Sequence, residues 1–505
     1  MSISLTYYVG FFDFESVHKK QEFECSKCEK IDDNDETVCH HKTMVKAVQV
    51  PITFSYLILD KDCNIVYMNT MTRPDAARRL LQQLIDIEPE LLAVLNRYTK
   101  INMSSKDEEK FKQAVNCHIC HQELDEQPVR DHCHITGKFL GAAHNLCNLQ
   151  RSERKKIPMI CHNLSGYDSH FLVQELGHVK GLKTLSALPY NTEKFRTIDV
   201  NSFQFKDSLS FLNASLDELM NDLLKNKDHK FSIIDQLGLY KKGETEKKAL
   251  LLRKGVYPYE YATSIKKLKK TKKIPAKEHF FSSLRNSNIS DEDYEHSKKV
   301  FKIMGCANLV DYTNIYCNLD VGILAEVFIQ FRKLVKKNFG LDCCHYISTP
   351  QLAFDCMLLR TQVEIELLTD IDKILFIEQN IRGGVSYINT RHCKAEKSGG
   401  EEVQLKLIDA NNLYGYAQMK PMPLQDFCWL EEQEFEKLDW TEMSDEQTTG
   451  YILEVDLEYP KKLHRSHNSF PLAPEQLQIT DNMLSPYAKG EFLLSVGFEP
   501  TKTNS

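Results

Sequence analysis

Asp13-Phe14-Glu15 sets two carboxylates two residues apart in a segment dense in aromatic and apolar side chains. Such a segment reads as a buried strand, and strand alternation then sends both acids to one face. Two buried acids side by side are costly unless something positive joins them, and Mg²⁺ or Mn²⁺ is the natural partner. A third acid, Asp168, ends the run His162-Asn163-Leu164-Ser165-Gly166-Tyr167-Asp168, directly after an apolar strand. A fourth lies in Tyr316-Cys317-Asn318-Leu319-Asp320, inside a helical pattern whose spacing of four puts phenol and carboxylate on one face. Thiols and imidazoles form a separate chemistry. The pairs Cys117/Cys120 and His144/Cys147 have the spacing of a tetrahedral Zn²⁺ site. Cys25, Cys28 and Cys39 with His41 fit a second ion, where His40 or Cys63 competes for a place.

The elements that must position these groups follow from periodicity. Strands are expected at Leu5–Glu15, Val48–Leu59 and Asn64–Met68, then a helix around Pro74–Tyr98. A strand at Ile157–His162 leads into a helix from Ser169, followed by strands at Phe195–Val200 and Ser202–Asp207. Residues 222–300 are lysine-rich and read as helices joined by exposed loops. An amphipathic helix spans about Leu309–Lys336, and from about Val403 the pattern returns to strand and turn. Strands mixed with helices indicate an α/β or α+β architecture carrying two Cys/His-rich inserts.

In order and context, the three acidic runs resemble the Exo I, Exo II and Exo III motifs of the DnaQ-like exonuclease domain of family-B DNA polymerases. That resemblance implies an RNase H-like fold. Asp13, Glu15, Asp168 and Asp320 would hold two metal ions around the scissile phosphate of a DNA 3′ end. Tyr316 would orient the attacking water, and Asn163 would reach the substrate strand. Further on, Asp409-Ala410-Asn411-Asn412-Leu413-Tyr414-Gly415 resembles polymerase motif A, D-x-x-x-L-Y-P. It implies that Asp409 binds the catalytic metals and that Tyr414, after Leu413, packs under the incoming dNTP sugar. Gly415 stands where the family usually has proline, as in the protein-primed branch. Ile381-Arg382-Gly383-Gly384 resembles the template-contacting Y-x-G-G/A linker element of that branch, where glycines let backbone approach phosphate. Wider phrasing, such as Lys254-Gly255-Val256-Tyr257-Pro258-Tyr259-Glu260 and Ser348-Thr349-Pro350-Gln351, is similar to the polymerases of Polinton (Maverick)-type mobile elements.

Neither a Y-x-D-T-D element nor K-x-x-x-N-S-x-Y-G follows Asp409. The expectation is a truncated polymerase whose palm lacks its second metal-binding aspartate, so that this chain does not polymerise alone. The insert containing Cys117, Cys120, His144 and Cys147 resembles HNH nucleases of the endonuclease VII type. There His132 would be the general base, with Asp131 and Asn148 holding Mg²⁺. Whether that insert cleaves DNA or only grips it stays open.

The implied organisation is an exonuclease domain in two parts, 1–24 with 48–110 and 157–340, interrupted by inserts at 25–47 and 111–156. A linker at 341–402 and the start of a palm at 403–505 follow. Rival readings are an HNH endonuclease with an ancillary exonuclease, and an inert DNA-binding relic of a transposon. Implied partners are DNA, dNTPs and a terminal protein primer.

Bulk properties accommodate this. A length of 505 residues exceeds one core, and 42% hydrophobic with 27% charged residues is ordinary for a globular chain. No run reaches the roughly 20 apolar residues that span a bilayer. The first residues lack a signal-peptide layout, so an intracellular protein is expected, in nucleus or cytoplasm. Sixteen cysteines in such a chain favour metal binding over disulfides. The net charge of −7 offers no global attraction to nucleic acid. One basic track, Lys266, Lys267, Lys269, Lys270, Lys272, Lys273 and Lys277, reads equally as a solvated loop or a DNA contact.

Overall fold

A computed structural model describes residues 6–20, 47–150, 156–381 (apart from 192, 242, 284 and 285), 392–395, 397–398 and 401–402. It also describes 404–467 (apart from 445), 469, 472 and 480–484. The chain divides into two units, Met1–Thr361 and Gln362–Ser505.

The first strand, β1 (Val9–Lys20), shows what alternation does here. Val9 and Phe11 enter one apolar cluster, whereas Phe12 and Phe14 enter another on the opposite side of the sheet. β1 pairs antiparallel with β2 (Ala47–Leu59), which pairs with β3 (Ile65–Thr72). The helix α1 (Ala76–Leu95) then covers the Phe12 face through Ala77, Leu80, Leu81 and Leu84. An insert follows, built from α2 (Ser105–Gln113), the hairpin β4 (Val129–His132) with β5 (Phe139–Ala143), and α3 (Asn145–Gln150). The chain re-enters the sheet as β6 (Ile157–Cys161), parallel to β1, and turns into α4 (Asp168–Glu175). Strands β7 (Leu185–Pro189), β8 (Phe195–Val200) and β9 (Phe203–Asp207) complete a mixed seven-stranded sheet in the order β3-β2-β1-β6-β9-β8-β7.

The 222–300 region does contain short helices: α5 (Leu216–Lys225), α6 (Thr245–Leu251), α7 (Ile265–Lys270) and α8 (Asp291–Ile303). It is less exposed than expected. Phe231, Ile234, Tyr257, Leu268 and Phe280 are all buried, because this stretch wraps the next helix. That helix, α9 (Leu309–Phe339), starts at the Asn308 cap and stops at Gly340, whose φ of 73° needs glycine. Its middle, from Tyr316 to Ile329, is buried on every side rather than along one stripe. The sheet covers one flank and the 229–280 wrap covers the other. Arg332 on its last turns forms a buried pair with Asp342 just past its end, and both also bond to Thr6 just before β1. α10 (Thr349–Thr361) packs Leu352 and Cys356 onto the same core.

The second unit contains α11 (Ile371–Asn380), a two-residue pairing of β10 (Lys397–Ser398) with β11 (Glu401–Glu402), α12 (Leu413–Gln418), α13 (Glu432–Phe435) and α14 (Lys461–His464). None of its described residues is buried. No helix among the described residues is long and apolar enough to cross a membrane.

Candidate active site

Because Val9 and Phe11 face α9, strand alternation carries Asp13 and Glu15 to that same side. Opposite them α9 presents Tyr316 and Asp320, one turn apart. Asp168 arrives from the sheet's neighbouring strand. After β6 ends, Asn163 adopts φ 63°, and Asp207 at the end of β9 accepts hydrogen bonds from the Asn163 and Ser165 backbone N–H groups, each 2.9 Å. A Cβ at Gly166 would sit 2.5 Å from Asn163 Oδ1, so a larger residue there would displace the Asn163 amide. α4 then begins at Asp168.

Three elements thus bring four carboxylates together. Donor atoms of Asp13, Cys161 and Asp168 all lie within 4.8 Å of one another, as do those of Asp13, Glu15 and Cys317. Glu15, Asp168 and Asp320 are each 3% exposed. The Asp168 carboxylate accepts from Cys161 Sγ at 3.4 Å on one oxygen, while its other oxygen is buried without a partner. Asp320 repeats the pattern: Lys254 Nζ lies 2.6 Å from one oxygen, and the other is buried and unpartnered.

Burial, and then the charge of Asp320, push the Asp13 carboxyl up to about 7. Glu15 and Asp168 are raised well above the carboxylate range, first by burial and then by Asp13. The Lys254 ammonium opposes these shifts at Asp13 and Glu15. Orphaned carboxylate oxygens in an oxygen-rich pocket short of positive charge fit hard divalent cations such as Mg²⁺ or Mn²⁺.

Lys254 belongs to a segment that sequence reasoning noted only for its resemblance. This segment runs flush against Tyr316: a Cβ at Gly255 would lie 2.8 Å from the phenol ring. Tyr259 and Tyr316 share a hydrogen bond between their hydroxyls at 3.0 Å, and Lys254 Nζ stands 5.6 Å from the Tyr316 ring. Cys161, Cys317, Asp207 and Lys254 were all missed as site residues. The ion pair joins positions 66 residues apart, and no local pattern reports such a contact.

The insert gathers Cys117, Cys120, His144 and Cys147, with donor atoms mutually within 4.8 Å. His144 donates from Nε2 to the Glu123 carbonyl at 2.8 Å, which leaves Nδ1 facing Cys120 Sγ at 3.4 Å and Cys147 Sγ at 3.7 Å. That orientation is what a ligating histidine needs. Burial opposes ionisation of Cys117, yet the backbone N–H groups of Cys120, His144 and Ile119 bring its thiol down to about 6. Asp131 and His132 lie on β4 at a register shift, and Asn148 lies on α3. Asp131 accepts from His118 Nε2 at 2.8 Å, a partner not foreseen, and His132 Nε2 is buried without one. Gly141 makes room for His118, since a Cβ there would lie 2.5 Å from the imidazole.

The family model for "DNA polymerase type B, organellar and viral" matches residues 149–482, about two thirds of the sequence. The chain belongs to this family. Two curated relatives are each described as "Probable DNA polymerase". One, from Neurospora intermedia, is 25% identical over 264 residues, covering 51% of this chain and 24% of the relative. The other, from Ascobolus immersus, is 23% identical over 279 residues, covering 51% of this chain and 19% of the relative. The matched stretch therefore spans about a quarter or less of either relative's length.

Within this type-B polymerase match lie Asp168, Tyr316, Asp320 and the motif A positions, whereas Asp13, Glu15 and the thiol–imidazole insert precede it. The expected strand before Asp409 is not formed: 404–410 has no regular structure and no strand partner among the described residues, and Leu407 and Ile408 are exposed. An apolar segment becomes a strand only where a neighbour pairs with it, and the described residues of this unit provide no such neighbour. Asn412 then takes φ 54° and starts α12, with Leu413 and Tyr414 exposed on it. Arg382, Gly383, Gly384, Cys25, Cys28, Cys39 and His41 lie outside the described residues.

Proposed function

We propose that the first unit is a two-metal 3′→5′ exonuclease on an RNase H-like (DnaQ-type) sheet, serving a family-B DNA polymerase. The reading is carried by Asp13, Glu15 and Asp168, whose donor atoms cluster around Asp13, by the charge of Asp320 acting on the same group, and by one buried, unpartnered oxygen each on Asp168 and Asp320. Asp13, Glu15, Asp168 and Asp320 would hold Mg²⁺ or Mn²⁺. When bound, these cations supply a more acidic water and positive charge beside the leaving 3′ oxygen. Tyr316, steadied by Tyr259, orients the attacking water; Asn163, at its left-handed turn, lies beside the path of the terminal nucleotide. Lys254 pairs with Asp320 at 2.6 Å and so fixes the carboxylate that faces β1. The test is stepwise shortening of a labelled single strand from its 3′ end in Mg²⁺. We expect Asp13→Ala to slow it about 100-fold or more. Equal rates for the two proteins would overturn the assignment.

The parent enzyme is read as a protein-primed replicase of the Polinton type, with dNTPs and a terminal protein primer as partners. Asp409, Leu413 and Tyr414 are its motif A, and Arg382-Gly383-Gly384 its template-contacting element. Two-metal nucleotidyl transfer needs a second aspartate beside Asp409, and we expect the purified chain not to extend a primer with dNTPs and Mg²⁺. Extension would refute that.

A second activity is favoured by one observation: His132 Nε2 is buried and unpartnered on a hairpin followed by a helix, next to a set of four zinc-type ligands. In this reading Cys117, Cys120, His144 and Cys147 hold structural Zn²⁺, His132 is the general base, and Asp131 with Asn148 holds Mg²⁺. Nicking of branched or duplex DNA that survives His132→Ala would exclude it.

A further inference from the structure

The lysine track left open above is a formed groove. Tyr261, Ser264, Lys266, Lys267, Lys270, Thr271, Lys272 and Lys273 line a cavity of about 650 Å³ in the first unit. Four of its five lysines are exposed, and Lys267 lies over the Tyr261 ring at 3.8 Å from the centroid. Among the described residues none of the five has a carboxylate partner, whereas nearby Lys277 pairs with Asp291 and Lys254 with Asp320. Five lysines that line one concavity without a carboxylate partner among the described residues concentrate positive potential there.

The groove is also anchored. Leu268, on the reverse side of α7, is fully buried in the cluster that contains Tyr316, Tyr312 and Tyr257. The Thr271 carbonyl accepts the Leu309 N–H at the start of α9. One continuous strap, residues 254–273, therefore begins at the Lys254–Asp320 pair, passes Tyr259 against Tyr316, and ends in the lysines. Tyr259 is 47% exposed along the way.

We propose that this groove grips the sugar–phosphate backbone of a single DNA strand whose 3′ end lies in the carboxylate cluster. Cations along one anchored strap can neutralise backbone phosphates, and the exposed tyrosine offers a face on which a base can stack. The direction given to the strand rests on the exonuclease reading; the binding itself does not.

Fluorescence anisotropy of a labelled oligothymidylate of about 20 nucleotides, in EDTA and across a KCl series, tests the grip without catalysis. The full chain is compared with Lys266→Gln/Lys270→Gln/Lys273→Gln and with the arginine counterpart of that triple variant. The glutamine variant should bind at least about tenfold more weakly, with a salt slope shallower by about 2, while the arginine variant keeps both. Equal affinity and slope for the glutamine variant would overturn the proposal. So would equal, lysine-dependent capture of a same-length duplex, of polyglutamate or of anionic vesicles. Hydrolysis of the p-nitrophenyl ester of thymidine 5′-monophosphate in Mn²⁺ separates the two readings. Ester cleavage with lysine-independent binding refutes the groove alone. Lysine-dependent binding without ester cleavage refutes the exonuclease alone.

Discussion

Burial keeps Asp13 from ionising until about pH 7, far above the 3.8 of an unfolded aspartate. Between those values the folded state holds the extra proton, so stability falls as pH rises through the interval and levels off above it. The slope is at most about 1.4 kcal/mol per pH unit for one such group. In EDTA the unfolding temperature should therefore drop between about pH 4 and pH 7, and Mn²⁺ should restore more at the upper end. Asp13→Asn should flatten the EDTA profile; a profile it leaves unchanged would remove Asp13 as the cause. Lys254→Met tests the same charge balance from the other side. It leaves Asp320 buried without its cation, at a cost of about 1–3 kcal/mol, below the full buried-pair range because the lysine side chain is 29% exposed. Urea unfolding in EDTA measures that cost, and saturating Mg²⁺ should narrow it. At this scale the sequence exposed the acids, since Asp-x-Glu and Tyr-x-x-x-Asp are local spacings. The cation and thiols that surround them come from distant strands and loops and left no local trace.

Elements explain why that trace is missing. α9 has an amphipathic pattern in sequence, which predicts one buried stripe, yet its centre is enclosed because the 229–280 wrap closes over the second face. Glu326 marks the seam. It is 2% exposed, and it accepts the N–H groups of Ile233 and Ile234 and the Nε2–H of His229. An acid in a helix reads as solvent-facing, and only the tertiary contact reveals it as a clasp. Glu326→Leu strands two backbone donors and should destabilise the unit by about 2–4 kcal/mol in urea titrations; a loss below about 0.5 kcal/mol would contradict the clasp. β7 was missed for a complementary reason, since all five of its residues are exposed and no alternation distinguishes an edge strand of this kind. The insert between α1 and β6 gathers four Cys and His side chains that could hold one ion, in place of a large core. Cys117→Ser should lower bound zinc by about one equivalent, measured on the intact chain by atomic emission. It should also open residues 114–150 to protease while the seven-stranded sheet stays folded. Unchanged zinc content would exclude the four-ligand site.

Across the whole molecule, burial is divided unequally between the two units. Every buried described residue lies at or before Cys356, and all four converging carboxylates, Lys254 and the lysine groove fall within Met1–Thr361. The boundary was expected at 340, where the α9 pattern ends. Ser348-Thr349-Pro350-Gln351 instead opens α10, whose Leu352 and Cys356 belong to the first core. Motif A was legible as a spacing, but its residues reach no core among the described residues of the second unit, so its ligand role rests on resemblance alone. From this division follows a direct expectation. A chain ended after Thr361 retains the complete sheet, both flanking layers and every group assigned to 3′ trimming. It should therefore unfold cooperatively within about 1 kcal/mol of the full chain and shorten a 3′ end within about threefold of its rate. A fragment that folds but trims at less than a tenth of that rate would show that residues beyond Thr361 complete the site. One that fails to fold would show that the first core depends on them.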